Sequence, residues 1–263
     1  MAKHALRWVA LVYVLLLLLL PLGLVTWRTF EHGLSPVFDA LTTQEAGHAF
    51  QVTAVVAVLS VLCNTVFGVG ASILLVRHEF PGRRLLNAAI DLPIAVSPVV
   101  VGLALILVYG RFEPIGGWLH RQGFDVIYAL PGMVLATVFV SLPLVVRAVA
   151  PVLEEIGTDQ EQAARTLGAS SWQTFRRITF PAIRAAVGYG VVLSLARSIG
   201  EFGAVAVVSG HIVGSTQTAT LFVEERFENF DQPAAYAASF TLAMTAVIAL
   251  LLTRYLRLRG DRT

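Results

Sequence analysis

Thr158-Asp159-Gln160-Glu161-Gln162-Ala163-Ala164-Arg165-Thr166-Leu167-Gly168-Ala169-Ser170-Ser171-Trp172-Gln173-Thr174-Phe175-Arg176-Arg177-Ile178-Thr179-Phe180-Pro181 is the most patterned polar stretch of a chain whose other long segments are apolar. Thr158 with Glu161, or Asp159 with Gln162, predicts a capped helix start, because side chains at that spacing satisfy orphan backbone donors reciprocally. Gly168 predicts the stop, since helices commonly close on a left-handed residue that glycine adopts freely. Ser170 with Gln173 predicts a restart carrying Trp172, Phe175 and Ile178. The product is a helix, a glycine turn and a second helix, with small alanines and bulky apolar side chains together. Such a knob is more than a linker needs. Trp172, Arg176 and Arg177 equally suit a helix resting on lipid headgroups.

On either side the chain turns apolar. Six stretches, 8–27, 51–76, 85–109, 126–149, 183–208 and 234–256, each reach twenty residues or more, enough to cross a hydrocarbon core of about 30 Å. Of the 263 residues, 56% are hydrophobic and 14% charged, against about 25% charged in an ordinary soluble domain. These features predict an all-α integral membrane protein with six transmembrane helices, one domain over residues 1–263, and the patterned loop at about 150–182. Lys3 and Arg7 precede the first stretch as in a secretory signal. The run continues through Pro21 and Gly23 without a small-residue cleavage site, so it reads as a retained anchor.

Composition excludes several chemistries. Lys3 is the only lysine, so no internal Gly-Lys-Ser/Thr phosphate loop exists and the chain does not hydrolyse ATP by that route. The six histidines stand at least sixteen residues apart, which removes a His-Glu-x-x-His zinc site. Cys63 is the only cysteine and reads as packing within an apolar stretch. No catalytic residue, metal or cofactor of this chain's own is expected.

Of the nineteen Lys and Arg residues, fourteen fall on the side of the patterned loop, while Arg28, Arg111, Arg121 and Arg226 fall on the other and Arg197 lies within the fifth stretch. The positive-inside bias then places the loop and both termini in the cytoplasm. The net charge of +2 is what that bias requires, and it calls for no nucleic-acid partner. Pro93, Pro98, Pro131 and Pro143 each remove a backbone donor, and broken helices in a membrane persist where protein or water re-satisfies the backbone. Ala182, Ala186, Gly190, Ser194 and Ser198 form a file of small residues, with Ala196, Gly200 and Ala204 a second. That spacing predicts a close helix contact, within the chain or with a partner.

Arg197 near mid-span costs ~2.5–3.5 kcal/mol on insertion scales, so it should face protein or water. Glu201, four residues on, can pair with it; the pair is then either structural or leaves Arg197 partly free to lower the barrier to an anion. Ser97, Pro98, Ser194, Arg197, Gly200, Glu201 and Gly203 form the candidate translocation path. Asp91 is expected near the interface, close behind Arg83 and Arg84. An outer segment capped at Ser215-Thr216 sets Glu224, Glu225, Glu228 and Asp231 against Arg226, a surface that repels a free anion.

The patterned loop resembles the cytoplasmic motif of the binding-protein-dependent ABC importer permeases: Glu-Ala-Ala, three residues, Gly, nine residues, Ile-x-Leu-Pro. Gln162-Ala163-Ala164, Gly168 and Ile178-Thr179-Phe180-Pro181 match every spacing. Gln162 replaces the usual Glu, with Glu161 adjacent, and Phe180 replaces the usual Leu. The resemblance implies a type I importer (MetI-like) architecture in which this loop is a coupling helix seated in a separate ATPase subunit. It assigns that contact to Glu161, Gln162, Ala163, Ala164, Leu167, Gly168, Ile178 and Pro181. It extends from about Thr53 to Arg257, and Gly200-Glu201-Phe202-Gly203-Ala204-Val205-Ala206-Val207-Val208-Ser209-Gly210-His211-Ile212 and Leu92-Pro93-Ile94-Ala95-Val96-Ser97-Pro98 are similar to the sulfate/thiosulfate branch, especially its W-type subunits. Implied with it are a cytoplasmic ABC ATPase dimer holding ATP and Mg, a homologous T-type second permease, a periplasmic sulfate/thiosulfate-binding protein, membrane lipid around the chain, and a place in the bacterial inner membrane. The related molybdate/tungstate permeases, working as homodimers, are the alternative. A stand-alone secondary transporter would show internal repeats and matched half-helices, and an intramembrane enzyme a nucleophile or metal cluster; neither is found in the sequence.

Overall fold

A computed structural model describes residues 2–260, with side chains from Leu6 to Leu251 except Ala10, Leu18 and Leu250. It is 81% helical, and no strand occurs among the described residues. The elements in chain order are α1 (2–30), α2 (Ser35–Leu41), α3 (Gln44–Arg77), α4 (Arg83–Ala95), α5 (Pro98–Tyr109), α6 (Pro114–Arg121), α7 (Leu130–Ile156), α8 (Asp159–Thr166), α9 (Ser171–Ile199), α10 (Gly203–Ser209), α11 (Ala219–Glu228) and α12 (Gln232–Gly260). Helix α1 passes through a π turn at Leu15–Leu19, and α9 through another at Phe175–Thr179.

Helices α3, α7 and α9 form the centre because each offers small or β-branched residues to the others. Val145, Val149, Leu153, Ile183 and Val187 fill the end nearer the patterned loop, and Val52, Val56, Met133, Ala136, Val140, Val205 and Val208 the opposite end. Between them Asn64, wholly buried, donates to Ser141 Oγ at 2.7 Å and to Ser194 Oγ at 3.5 Å. The file of small residues on α9 is an intrachain contact: a Cβ on Gly190 would lie 3.1 Å from Val145 Cα of α7. Gly68 on α3 meets the same residue, its would-be Cβ 2.7 Å from Val145 Cβ, whereas nothing lies within 4 Å of such an atom on Gly70. Overpacking costs roughly 1–3 kcal/mol. Gly68→Leu is therefore expected to lower the thermal stability of the purified protein clearly, and Gly70→Leu to leave it unchanged, as followed by tryptophan fluorescence on heating.

The α1 segment Leu6–Phe30, α3, α7 and α9 are long and apolar enough to cross a bilayer, and α4 with α5 makes a fifth crossing if that bent pair is one span. The predicted stretch 234–256 falls on α12, but its side chains beyond Leu251 lie outside the described residues, as do those of Lys3, Arg254, Arg257, Arg259 and Arg262.

Five expectations need correction. The stretch 85–109 is two helices bent by 115°, because Pro98 drives Ser97 into extended backbone and then opens a new helix at its own first turn. The stretch 183–208 breaks at Gly200–Phe202. The stretch 126–149 begins as helix only at Leu130 and continues to Ile156 through Pro143 and Pro151. Most of the loop at 150–182 is thus helix continuous with its neighbours, leaving 157–158 and 167–170 outside regular helix. Cys63 is exposed on the outside of the bundle rather than packed.

Candidate functional site

Two places on this frame concentrate the predicted residues. The first is the loop between α7 and α9. Gly168 has φ +82°, Ala169 N donates to Ala164 O and Gly168 N to Arg165 O, both at 3.0 Å: the pair of bonds that closes a helix on a left-handed residue. Two residues on, the Ser170 hydroxyl accepts from Gln173 N at 3.3 Å and Gln173 Oε1 from Ser170 N at 2.9 Å, the predicted capping box. The expected box at Thr158 is not formed, since its hydroxyl caps no backbone donor. Gln162 instead donates to Thr158 Oγ1 at 2.9 Å.

Glu161 is occupied elsewhere. Arg77, at the end of α3, reaches it at 3.2 Å, donates to Gly157 O at 2.7 Å and Leu153 O at 2.9 Å, and Thr179 of α9 donates to the same carboxylate at 2.9 Å. The Arg77 and Glu161 side chains are only 10% and 13% exposed. This cluster clamps α8 to three long helices at once. Arg77 and Thr179 were missed from sequence because nothing local marks them.

What the clamp leaves outward includes large apolar side chains among polar ones. Leu167 is 88% and Trp172 66% exposed; Gln162, Ala163 and Pro181 are exposed, and Ala164 and Ile178 are half-buried on a groove of about 460 Å3 with Leu167 and Gly168. A rigid knob with its largest apolar groups unburied is a surface made to be covered.

The second place is where the two broken helices cross. A Cβ on Gly203, opening α10, would stand 3.2 Å from Pro98 Cβ, opening α5, and one on Gly102 would stand 2.7 Å from Val207 Cβ. Only glycine lets the half-helices approach so closely. Arg197 Nη1 lies 2.7 Å from Glu201 Oε2, as the spacing predicts, although the helix ends between them. Glu201 Oε1 accepts from Ala204 N at 3.0 Å and the Glu201 carbonyl accepts from Thr220 at 3.0 Å. The Glu201 side chain is 2% exposed, the Arg197 side chain 37%. One carboxylate is thus shared between a guanidinium and a helix start, so the arginine is neutralised by its neighbour yet still reachable. Ser97 and Gly200 are exposed beside the breaks and Pro98 is half-buried. Ser194 stands apart, fully buried in the core against Asn64.

On the far side, Thr216 to Thr218 are buried and α11 starts only at Ala219, with Thr218 at its N-cap position in place of the predicted Ser215-Thr216. Arg226 is bonded to Glu45 and lies 3.5 Å from Asp231, and Gln217 is bonded to Glu225. The one arginine of the acidic segment is thus shared between Asp231 and a distant acid, Glu45, so the surface stays net negative, as expected.

Residues 64–260 match the family model described as "Binding-protein-dependent transport system inner membrane component". Over 98% of its length the chain is 48% identical to the sulfate transport system permease protein CysW of Synechocystis, covering 93% of that protein. It is 37% identical to the sulfate transport system permease protein CysT of Escherichia coli, over 96% of this chain and 91% of that one. Among solved structures, a chain of a bacterial alginate ABC transporter in complex with an alginate pentasaccharide-bound periplasmic protein superposes with a TM-score of 0.77, at 16% identity, over 99% of this chain and 94% of that one.

Proposed function

The chain belongs to the family of binding-protein-dependent transport system inner membrane components, and on that premise we propose that it is one membrane subunit of an ATP-driven importer of sulfate and thiosulfate. The observation that carries the substrate class is the near full-length similarity to relatives named as sulfate permeases. Greater identity to the CysW relative than to the CysT relative supports a heteromeric pair in which a T-type chain is the second permease.

In this reading the loop between α7 and α9 faces the cytoplasm and seats Leu167 and Trp172 in a partner ATPase, which holds ATP and Mg. Glu161, through Arg77 and Thr179, passes the partner's rigid-body motion into α3 and α9. The crossing of α5 and α10 lies on the path between the two permeases, and Arg197 offers a partly neutralised positive charge to a passing oxyanion. A periplasmic binding protein delivers the anion to the outer face.

Radiolabelled sulfate uptake in cells lacking this chain, with and without its restoration, tests the proposal. Uptake should depend on the chain and be competed by unlabelled thiosulfate but not by molybdate. Normal sulfate uptake without the chain, together with loss of molybdate uptake, would overturn it. Affinity purification of the chain should also recover a phosphate-loop ATPase and a different permease.

A further inference from the structure

A second arginine within the bundle has a place in the fold that neither the loop nor the broken helices explain. Arg147 of α7 donates from Nε to Asp91 Oδ1 at 2.8 Å and from Nη2 to Asn87 Oδ1 at 3.1 Å, with Nη2 also bonded to Asp91 Oδ2. Nη1 makes no hydrogen bond among the described residues, so two N–H groups of the fork stay free. The pair is not sealed: the Arg147 and Asp91 side chains are 41% and 40% exposed. Arg147 opens onto a cavity of about 750 Å3 lined also by Arg83, Arg84, Asn87, Glu79 and Glu154.

Depth narrows what this exposure means. Asp91 lies seven residues beyond Arg84 on α4, and Arg147 seven residues before Glu154 on α7. At 1.5 Å per residue both lie about 10 Å along their helices from those charged residues, two turns into the apolar part of each helix. An ion pair at that depth does not face hydrocarbon; such groups face protein or a water-filled cavity and mark ion paths.

We propose that Arg147, oriented by Asp91 and Asn87, is a transient binding site for a tetrahedral oxyanion on the cytoplasmic half of the translocation path. This rests on the permease reading above and deepens it by naming an exit-side site. Asp91 and Asn87 take Nε and Nη2, and the two N–H groups of Nη1 are left to meet oxygens of such an anion. Arg83, Arg84 and Arg147 are offset by Asp91, Glu79 and Glu154, so the cavity supplies donors without a net positive charge. That balance is what a conducting site needs, because cargo must enter it and also leave.

The test uses the assembled complex in liposomes, with Leu85→Cys, on the same cavity and outside the proposed site, in a Cys63→Ala background and a water-soluble methanethiosulfonate reagent on the cytoplasmic face. Labelling should proceed, sulfate should slow it severalfold where chloride at equal ionic strength does not, and adding Arg147→Gln should abolish that protection. Absence of labelling would place the pair against lipid or the second permease and overturn the proposal. Protection unchanged in Arg147→Gln would overturn it as well. Protection that follows the phosphatidylglycerol content of the liposomes rather than the sulfate concentration would assign the site to lipid headgroups instead of cargo. Sulfate uptake by the unsubstituted complex is measured alongside: its loss counts against the permease reading, while intact uptake without protection counts against this site alone.

Discussion

Gly168→Pro is expected to reduce uptake to background while the chain still inserts in the membrane. Position 168 has φ +82°, and proline is held near −65°, so the turn that closes α8 cannot form. The substitution also deletes the N–H that bonds Arg165 O. A penalty of about 3 kcal/mol leaves roughly a hundredfold fewer loops in the competent shape. The exposed Leu167 and Trp172 side chains would then be presented in the wrong relation. Membrane insertion followed by fluorescence, ATPase co-purification and uptake separate the steps: inserted protein with weak ATPase recovery and no uptake is the expected pattern. Normal uptake in Gly168→Pro would remove the coupling assignment. Ala164→Arg, which fills the groove without touching the turn, should also block uptake.

Arg77→Ala should destabilise the chain by about 3–5 kcal/mol, the usual cost of leaving one member of a buried ion pair without its partner. With side chains 10% and 13% exposed, Arg77 and Glu161 have little water to fall back on. The loss also frees the carbonyls of Leu153 and Gly157, which the guanidinium satisfies. Arg77→Ala/Glu161→Ala should recover part of the stability, since the uncompensated carboxylate is gone, but not all, because those carbonyls remain unpaired. Thermal unfolding of the four members of this cycle in one detergent gives the coupling directly. Equal stability of Arg77→Ala and the unsubstituted chain would show that the clamp is not an energetic one. Arg77→Lys retains charge but not the fork, and should fall between them.

The failed expectation at Thr158 shares its cause with this clamp. Thr158 and Glu161 have capping-box spacing, and an isolated loop would use it. In the fold, Arg77 stands within reach of Glu161 and, with Thr179, holds its carboxylate, and a multidentate ion pair between two opposite charges outweighs one bond from a backbone N–H. Ser170 and Gln173 keep their box because no charged group competes for them. The break before Pro98 follows from sterics of the residue preceding proline, yet the prolines at 143 and 151 lie inside an unbroken helix, so proline alone does not say where a membrane helix ends.

The amino-acid order carries everything that acts over one to four residues: the apolar blocks, the glycine stop at Gly168, the Ser170 box and the Arg197–Glu201 pair. Their energies come from neighbours along the chain, so periodicity and spacing reveal them. The packing of the helices alone brings Arg77 to Glu161 across 84 positions, Asn64 to Ser141 across 77 and Arg147 to Asp91 across 56. Polar groups in an apolar surround must find one another to offset desolvation, and which ones meet depends on how α3, α4, α7 and α9 stack. Close approach of small residues such as Gly68, Gly190 and Gly203 sets that stacking, and a glycine's partner is not written beside it.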